Sequence, residues 1–430
     1  VSDQAAGLSM AALPFLIVLL VRSATFRVLT IVVGGLFVLG SSTDVGVTKV
    51  LYSAIVAACG AVSLYRLLKD PPAYVQHFRP ALGWGLALLA ILALGLLASP
   101  EGVDFVTFGR QAIYYVLLVI APIVGLDAGR ELRPATVYRV ILVIGVLAAA
   151  GFMIDWLNRR GVTALNIDRI VVSSFFLPAL AFSLAVLLAL SAKAFRDKLL
   201  AVGAAISIPI MLAVTGTRSS ILLLLAVVFS IGKVGKSRIP PLRVLVLLAV
   251  VAIPAAAMAA FISANVIADR DFLVLRFGAL QNLLIGEPVA DLSFALRSQQ
   301  YEQALALIEL SPLLGYGLGY SIPFTLDTPL LTVVRLGLLG TLIVIGLLFT
   351  LATGVHRASR EYGFNPASTI FWTFIGIAVI YLPLGTPLED RGFAFALVLA
   401  LMAVGSELDV SHRRRASAAP TEHLPQISAT

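Results

Sequence analysis

Apolar runs of roughly 14 to 24 residues, divided by short charged connectors, repeat along the whole of this chain, and each run is long enough to read as a helix crossing a hydrocarbon core about 30 Å thick. The runs cover roughly residues 9–21, 27–40, 46–65, 81–98, 105–126, 136–158, 170–191, 199–214, 219–232, 242–263, 330–353, 369–385 and 392–405. The first two are short and fit either a re-entrant pair or one broken span, so the pattern predicts twelve or thirteen transmembrane helices. Only helices and closed barrels satisfy the backbone in lipid. The alternating ten-residue segments of a barrel are missing from this pattern, and an all-α polytopic fold is expected.

Composition supports that reading: 60% of the 430 residues are hydrophobic and 13% charged, and the mean hydropathy is +1.00, against about 25% charged residues in soluble domains. The expected organisation is a single polytopic domain over 1–405 and a disordered cytoplasmic tail over 406–430. The start of the chain has no basic segment of the kind that precedes a cleavable signal, so targeting is expected to reside in the helices. A lone cysteine, Cys59, provides neither an internal disulfide nor a thiolate metal cluster. No cofactor or metal is expected. On a polytopic chain the net charge of +8 is read as topology rather than nucleic-acid binding.

Lysine and arginine divide between alternate connectors. One set holds Arg66, Lys69 and Arg79; Arg130 and Arg133; Lys193, Arg196 and Lys198; Lys233, Lys236 and Arg238; Arg357 and Arg360; and the Arg413–Arg415 tail. The positive-inside rule makes this set, and with it the C-terminus, cytoplasmic. The other set carries arginine only: Arg159, Arg160, Arg169, Arg218, Arg270, Arg276, Arg297 and Arg391, while the sixth lysine, Lys49, opens the third span. Arginine's planar fork recognises phosphate bidentately and keeps its charge when partly buried. Codon bias accounts for the asymmetry equally well. All four histidines lie on the lysine-bearing side, which leaves none as a base or metal ligand on the other.

Residues 264–329 form the one long extramembrane connection, and loops of this length in compact folds are usually functional. Within it, "DLSFALRSQQYEQALALIELSP" reads as a helix with Asp291 or Ser293 as N-cap and Pro312 as its stop. Arg297, Tyr301, Ala304 and Ile308 follow one helical face. Glu302 and Glu309 fall on its exposed side. "GYGLGYS", 315–321, has no preceding strand and fails as a dinucleotide loop. Gly315 and Gly317 instead suit a tight turn whose backbone approaches a ligand or another helix. "TGTR" at 215–218 is a turn at the arginine-only face, with Arg218 opening the next span; an arginine snorkelling to the interface gives the same pattern. Arg110, inside the fifth span, is a site candidate as an intramembrane charge, with an ion pair to Asp104 or snorkelling as the alternatives. "LEDR", 388–391, crowds three charges into a short loop and suggests an internal salt bridge.

Three segments occur in order: "TGTRSSILLLL", "RSQQYEQALALIELSPLLGYGLGYS" and "LDTPLLTVVRLGLLGTL". This arrangement resembles the O-antigen ligase and polymerase superfamily, whose members show a Thr-Gly-Ser-Arg-like junction, an Arg-led helix closing in Pro-Leu-Leu-Gly-x-Gly, and a segment ending Gly-x-x-Gly, here Gly337 and Gly340. By motif it covers about residues 200–345. The resemblance implies a glycosyltransferase of class C architecture in the bacterial inner membrane, acting on the periplasmic face on an undecaprenyl-pyrophosphate-linked glycan. It further implies Arg218 and Arg297 as a pyrophosphate clamp. Arg110, Arg169, Arg276, Tyr301, Gly315 and Gly317 are the accompanying substrate-binding candidates.

Ligase members begin the third motif with His-Asn, eleven and ten residues before the first glycine. Here Leu326 and Asp327 stand at those positions, so the chain is more similar to polymerases, for which a chain-length regulator is an expected partner. Asp327 suits deprotonation of the acceptor hydroxyl, and equally the N-cap of the following span. The competing expectations are an O-antigen ligase acting on lipid A-core and, from another class, a transporter or flippase for an anionic lipid-linked glycan. Against transport, the Thr-Gly-Thr-Arg break has no recognisable second copy, which an internally repeated transporter would be expected to show.

Overall fold

A computed structural model describes residues 17–40, 47–97, 104–158, 174–214, 292–320, 322, 328–363, 366–382 and 385–418. No strand occurs among the described residues. The elements are α1 (Ala24–Val38), α2 (Val47–Lys69), a 3-10 turn (Ala73–Phe78), α3 (Arg79–Leu97), α4 (Phe105–Gly129), α5 (Pro134–Asn158), α6 (Phe176–Ser191), α7 (Phe195–Val214), α8 (Leu292–Leu310), α9 (Leu330–Tyr362), α10 (Pro366–Tyr381), a 3-10 turn (Pro387–Glu389) and α11 (Arg391–Ala418). Six of the described helical stretches are long and apolar enough to cross a membrane, and α1, α6 and α10 are shorter apolar helices. The chain is an all-helical, multi-pass membrane protein. The expected spans 219–232 and 242–263 lie outside the described residues.

Helix boundaries follow the hydropathy pattern closely, with two instructive differences. The second short span is a helix entered through a break at Ser23, whose hydroxyl accepts from Phe26 N. Within it, Thr30–Gly34 widens to a π turn, and the hydroxyl of Tyr52 donates to the Ile31 carbonyl at 2.6 Å. The last helix does not stop at residue 405. It runs on to Ala418, which corrects the expectation of a disordered tail for 406–418. Tertiary contacts hold the extension: Ser406 Oγ donates to the Leu132 carbonyl, Leu408 is buried, and the Arg415 guanidinium lies over the Tyr362 ring, while Asp409 and Arg413 pair within the helix one turn apart.

Two helices form the centre. The apolar windows of α4 and α11 are 89% and 83% buried, whereas those of α2 and α3 are 33% and 28%. Lipid tails are as apolar as leucine, so helices in a membrane associate through close packing at small residues. Gly125 and Gly129, one turn apart on α4, serve this purpose. A Cβ at Gly125 would lie 2.7 Å from the Val398 carbonyl oxygen, and one at Gly129 would lie 2.6 Å from Ser406 N, both on α11. Beside this contact Arg27 of α1 is wholly buried, paired with the equally buried Asp127 and donating through Nε to Ser63 Oγ at 2.8 Å.

The connectors segregate as the charge pattern predicts. At one end Arg66 meets Glu131, Arg130 meets Asp70, His77 meets Glu361, and Arg139 meets Asp197. Lys69, Lys193 and Lys198 belong to these connectors. The opposite end gathers the last residues of α1 and α3, the first turns of α4, α6, α9 and α11, and the glycine-rich loop. Lys49, in the first turn of α2, is the lysine that the chain direction leaves at that end.

Gly129→Ala is expected to destabilise the protein by about 1–3 kcal/mol through overpacking. Gly83→Ala on α3, where an added Cβ meets nothing within 4 Å, should stay neutral or gain up to about 1 kcal/mol from helix propensity. Thermal unfolding of both variants in detergent measures the difference.

Candidate functional site

The site candidate lies at the end away from the lysine-bearing connectors and is organised around an interruption of α9. Gly337 adopts φ 66° and ψ −176° inside that helix. In an unbroken helix the Val334 and Arg335 carbonyls would accept from Leu338 N and Leu339 N. Here residues 312–317 are inserted between them. Tyr316 N and Gly317 N donate to the Val334 and Arg335 carbonyls at 2.8 and 2.9 Å, while Leu338 N and Leu339 N donate to the Pro312 and Leu313 carbonyls at 2.9 and 3.2 Å. All four groups freed by the break are satisfied, as irregular backbone at membrane depth requires.

The interlock explains the glycines. Gly315 has φ 66°, and a Cβ there would lie 2.5 Å from Gly337 N; a Cβ on Gly337 would overlap the Leu313 carbonyl. The backbone approach expected of Gly315 and Gly317 is thus an approach to another helix. Around it α8 packs on the first turns of α9, with Ala304 buried against Leu331 and Val334 and with Leu307, Ile308 and Tyr316 alongside. Tyr301 is half-buried, and Glu302 and Glu309 are exposed. The backbone of Arg297 stands on the same face of α8, one helical turn before Tyr301 and two before Ala304.

Under the loop lies a polar cluster drawn from four elements. Gly319 N donates to Gln111 Oε1 on α4 at 2.9 Å. One turn further on, the Tyr115 hydroxyl donates to Glu389 Oε1 at 2.7 Å, and Arg335 Nη1 engages the other carboxylate oxygen. The Glu389 side chain is 5% exposed and that of Arg335 15%, so the pair is held in a largely dry setting. Thr332 is buried beside them. Thr328, next in sequence to Asp327, is fully buried with no partner for its hydroxyl among the described residues.

The 388–391 loop makes no internal salt bridge. Glu389 projects to α4 and α9, whereas Arg391, at the start of α11, donates to the Leu39 carbonyl and covers the Tyr114 ring at 5.2 Å. The 3-10 turn and the helix start direct successive side chains to different neighbours. Asp390 accepts from Gly392 N at 2.8 Å and bonds Ser174. Desolvation pushes its carboxyl up to about 6, against those hydrogen bonds and Arg391, which favour the charged form.

Other sequence candidates fall differently. Arg110 lies on the exposed side of α4. Asp104 caps that helix, and its carboxyl is held below the usual range by Thr107 and Val106 first, with Arg110 adding a smaller effect. The capping position of α9 is occupied by Pro329 rather than Asp327. Arg218, Arg169, Arg276 and Asp327, and the side chain of Arg297, lie outside the described residues.

Sequence reasoning passed over Gln111, Tyr115, Arg335 and the partner of Glu389. The signals were present: Gln111 and Tyr115 stand four residues apart on one helix, and Arg335 is a charge inside an apolar span, which is by default a functional candidate. In comparisons with known proteins, no family model matches the chain and no curated protein is significantly similar to it.

Replacing Glu389 by Leu leaves Arg335 buried without its counter-charge and should cost about 3–5 kcal/mol, while the double change with Arg335→Leu should recover much of that loss. A double-mutant cycle on thermal unfolding checks it. For Asp390 the sign is that of a raised acid: the folded chain keeps a proton up to about pH 6 that the unfolded chain releases near pH 4. Stability therefore falls as pH rises across that window. Asp390→Asn should flatten the dependence in melts between pH 4 and 7.

Proposed function

We propose that this protein is a bacterial inner-membrane glycosyltransferase, polymerase-like, that extends a glycan carried on undecaprenyl pyrophosphate at the periplasmic face. The observation that carries the reading is the unit of α8, the inserted glycine loop and the interrupted α9. It builds a rigid frame from the second and third of the segments that resemble the O-antigen ligase and polymerase superfamily, at the end away from the lysine-bearing connectors. Positive-inside charge makes that end periplasmic, where lipid-linked glycans are joined.

In the proposed reaction the acceptor hydroxyl oxygen attacks the anomeric carbon of the lipid-linked donor. The new glycosidic C–O bond forms as the bond from that carbon to the pyrophosphate oxygen breaks, and undecaprenyl pyrophosphate departs. Asp327 takes the hydroxyl proton. Arg218 and Arg297 neutralise the leaving group, a task suited to arginine because its charge persists in a partly dry site. Arg110, Arg169, Arg276 and Tyr301 contribute to holding the donor, and the Arg335–Glu389–Tyr115 cluster keeps the frame fixed without touching substrate.

Chain extension by the purified protein, followed on a lipid-linked oligosaccharide in proteoliposomes, tests the proposal. Arg218→Ala and Arg297→Ala should each lower the rate by about 10²–10³, and Asp327→Asn by at least about 10². Full extension by both arginine variants would remove the clamp. Movement of the glycan across the membrane without new glycosidic bonds would assign the protein to transport instead, and transfer to lipid A-core would make it a ligase.

A further inference from the structure

At the lysine-bearing end, far from the frame just described, α5, α6 and α7 line a half-open cavity of about 170 Å³. Its walls combine Arg139, Lys193 and Asp197 with Tyr138, Leu142 and Leu188. Asp197 meets the Arg139 guanidinium through Nε at 2.7 Å rather than through the terminal nitrogens, and the Arg139 side chain is 39% exposed. The Tyr138 hydroxyl is committed to Glu407 on α11. With two cations and one carboxylate the charged lining is net positive. The first turns of α5 and α7, where helix N–H groups lack intrahelical partners, border the same space through Ala135 and Asp197. These features favour an anion.

The apolar surface beside the cavity shows where that anion comes from. Below Arg139 on α5 follow Val143 and Leu147 at four-residue steps, both exposed. The cavity floor is apolar, built from Leu142, Leu188 and Leu200 of α5, α6 and α7, while the exposed Phe195, Leu199 and Ile206 of α7 lie on the opposite face of that helix from Asp197 and Leu200. The α5 stripe starts beside Arg139 and runs towards the middle of the bundle, as acyl chains do below a headgroup. A free phosphate would make no use of that stripe or of the apolar floor.

From this geometry we infer a binding site for an anionic phospholipid of the surrounding leaflet. Its phosphate sits between Arg139 and Lys193, its glycerol backbone fills the cavity over Leu142, Leu188 and Leu200, and its chains lie along the α5 stripe. Basic pockets between transmembrane helices suit anionic headgroups. Asp197 orients Arg139 and sets an upper limit on affinity by competing for its charge.

The test uses the full chain in detergent, titrated with phosphatidylglycerol or phosphatidylcholine and read by native mass spectrometry and by thermal shift. Phosphatidylglycerol should be retained and raise the melting temperature, while phosphatidylcholine does neither. Arg139→Gln with Lys193→Gln should weaken retention about tenfold or more, and Asp197→Asn should strengthen it. The phosphatidylcholine melt of each variant reports separately on folding. Equal retention by parent and double variant, or unchanged retention in Asp197→Asn, would overturn the site. Glycerol phosphate stabilising the protein as well as the lipid does would show a soluble phosphate ligand and overturn the lipid assignment.

Discussion

The close approach of α4 to α11 sets the geometry of both ends of this protein. With no hydrophobic force to drive helix association in lipid, the contact rests on how near two backbones can come, and Gly125 and Gly129 bring α4 against the carbonyl of Val398 and the amide of Ser406. Everything of chemical interest on α4 is positioned by that contact. Towards one end the helix carries Gln111 and Tyr115 to the glycine loop and to Glu389. Towards the other it carries Asp127 to Arg27. Because α11 begins where the 387–389 turn ends, the same contact brings Glu389, Asp390 and Arg391 to α9, α6 and α1.

A second constraint is the need to satisfy backbone polar groups inside the bundle. The break at Gly337 would leave two carbonyls and two amides unpaired, at a cost of several kcal/mol each in an apolar medium. The 312–317 segment meets all four. A loop and a helix joined in this way are in effect one element, which fixes α8 relative to α9 and to the polar cluster beneath. Such rigidity is what a site built around fixed positive charge needs, since preorganised charge acts without reorganising during the reaction.

The ends differ in their chemistry. Ion pairs at the lysine-bearing end link connectors that are close in space but far apart in sequence, such as Arg66 with Glu131 and Arg130 with Asp70. Several are half-exposed, and their main effect is to hold the connectors in register. Among the described residues the opposite end carries fewer charges, and there Arg335 and Glu389 are shielded from solvent. A charged pair removed from water is weakly stabilising at best compared with apolar packing, so its presence favours specificity of arrangement over stability.

Much of this was legible in the chain alone. Helix positions, their alternation and the segregation of lysine follow from hydropathy and charge, because the bilayer imposes one length and one polarity rule on every span. The helix at 292–310, with Ala304 turned inward, follows from its periodicity. Glycines at 315 and 317 announced a special backbone without disclosing its partner, and Gly337 stood out only as part of a motif. Only the folded chain decided that these glycines serve each other, that Glu389 belongs to Arg335 and Tyr115 rather than to Arg391, and that the last helix continues past its apolar stretch to Ala418. Periodicity and hydropathy report on a helix and its solvent. Pairing between residues hundreds of positions apart depends on which helices touch, and that is settled by close packing at Gly125, Gly129 and their counterparts on α11.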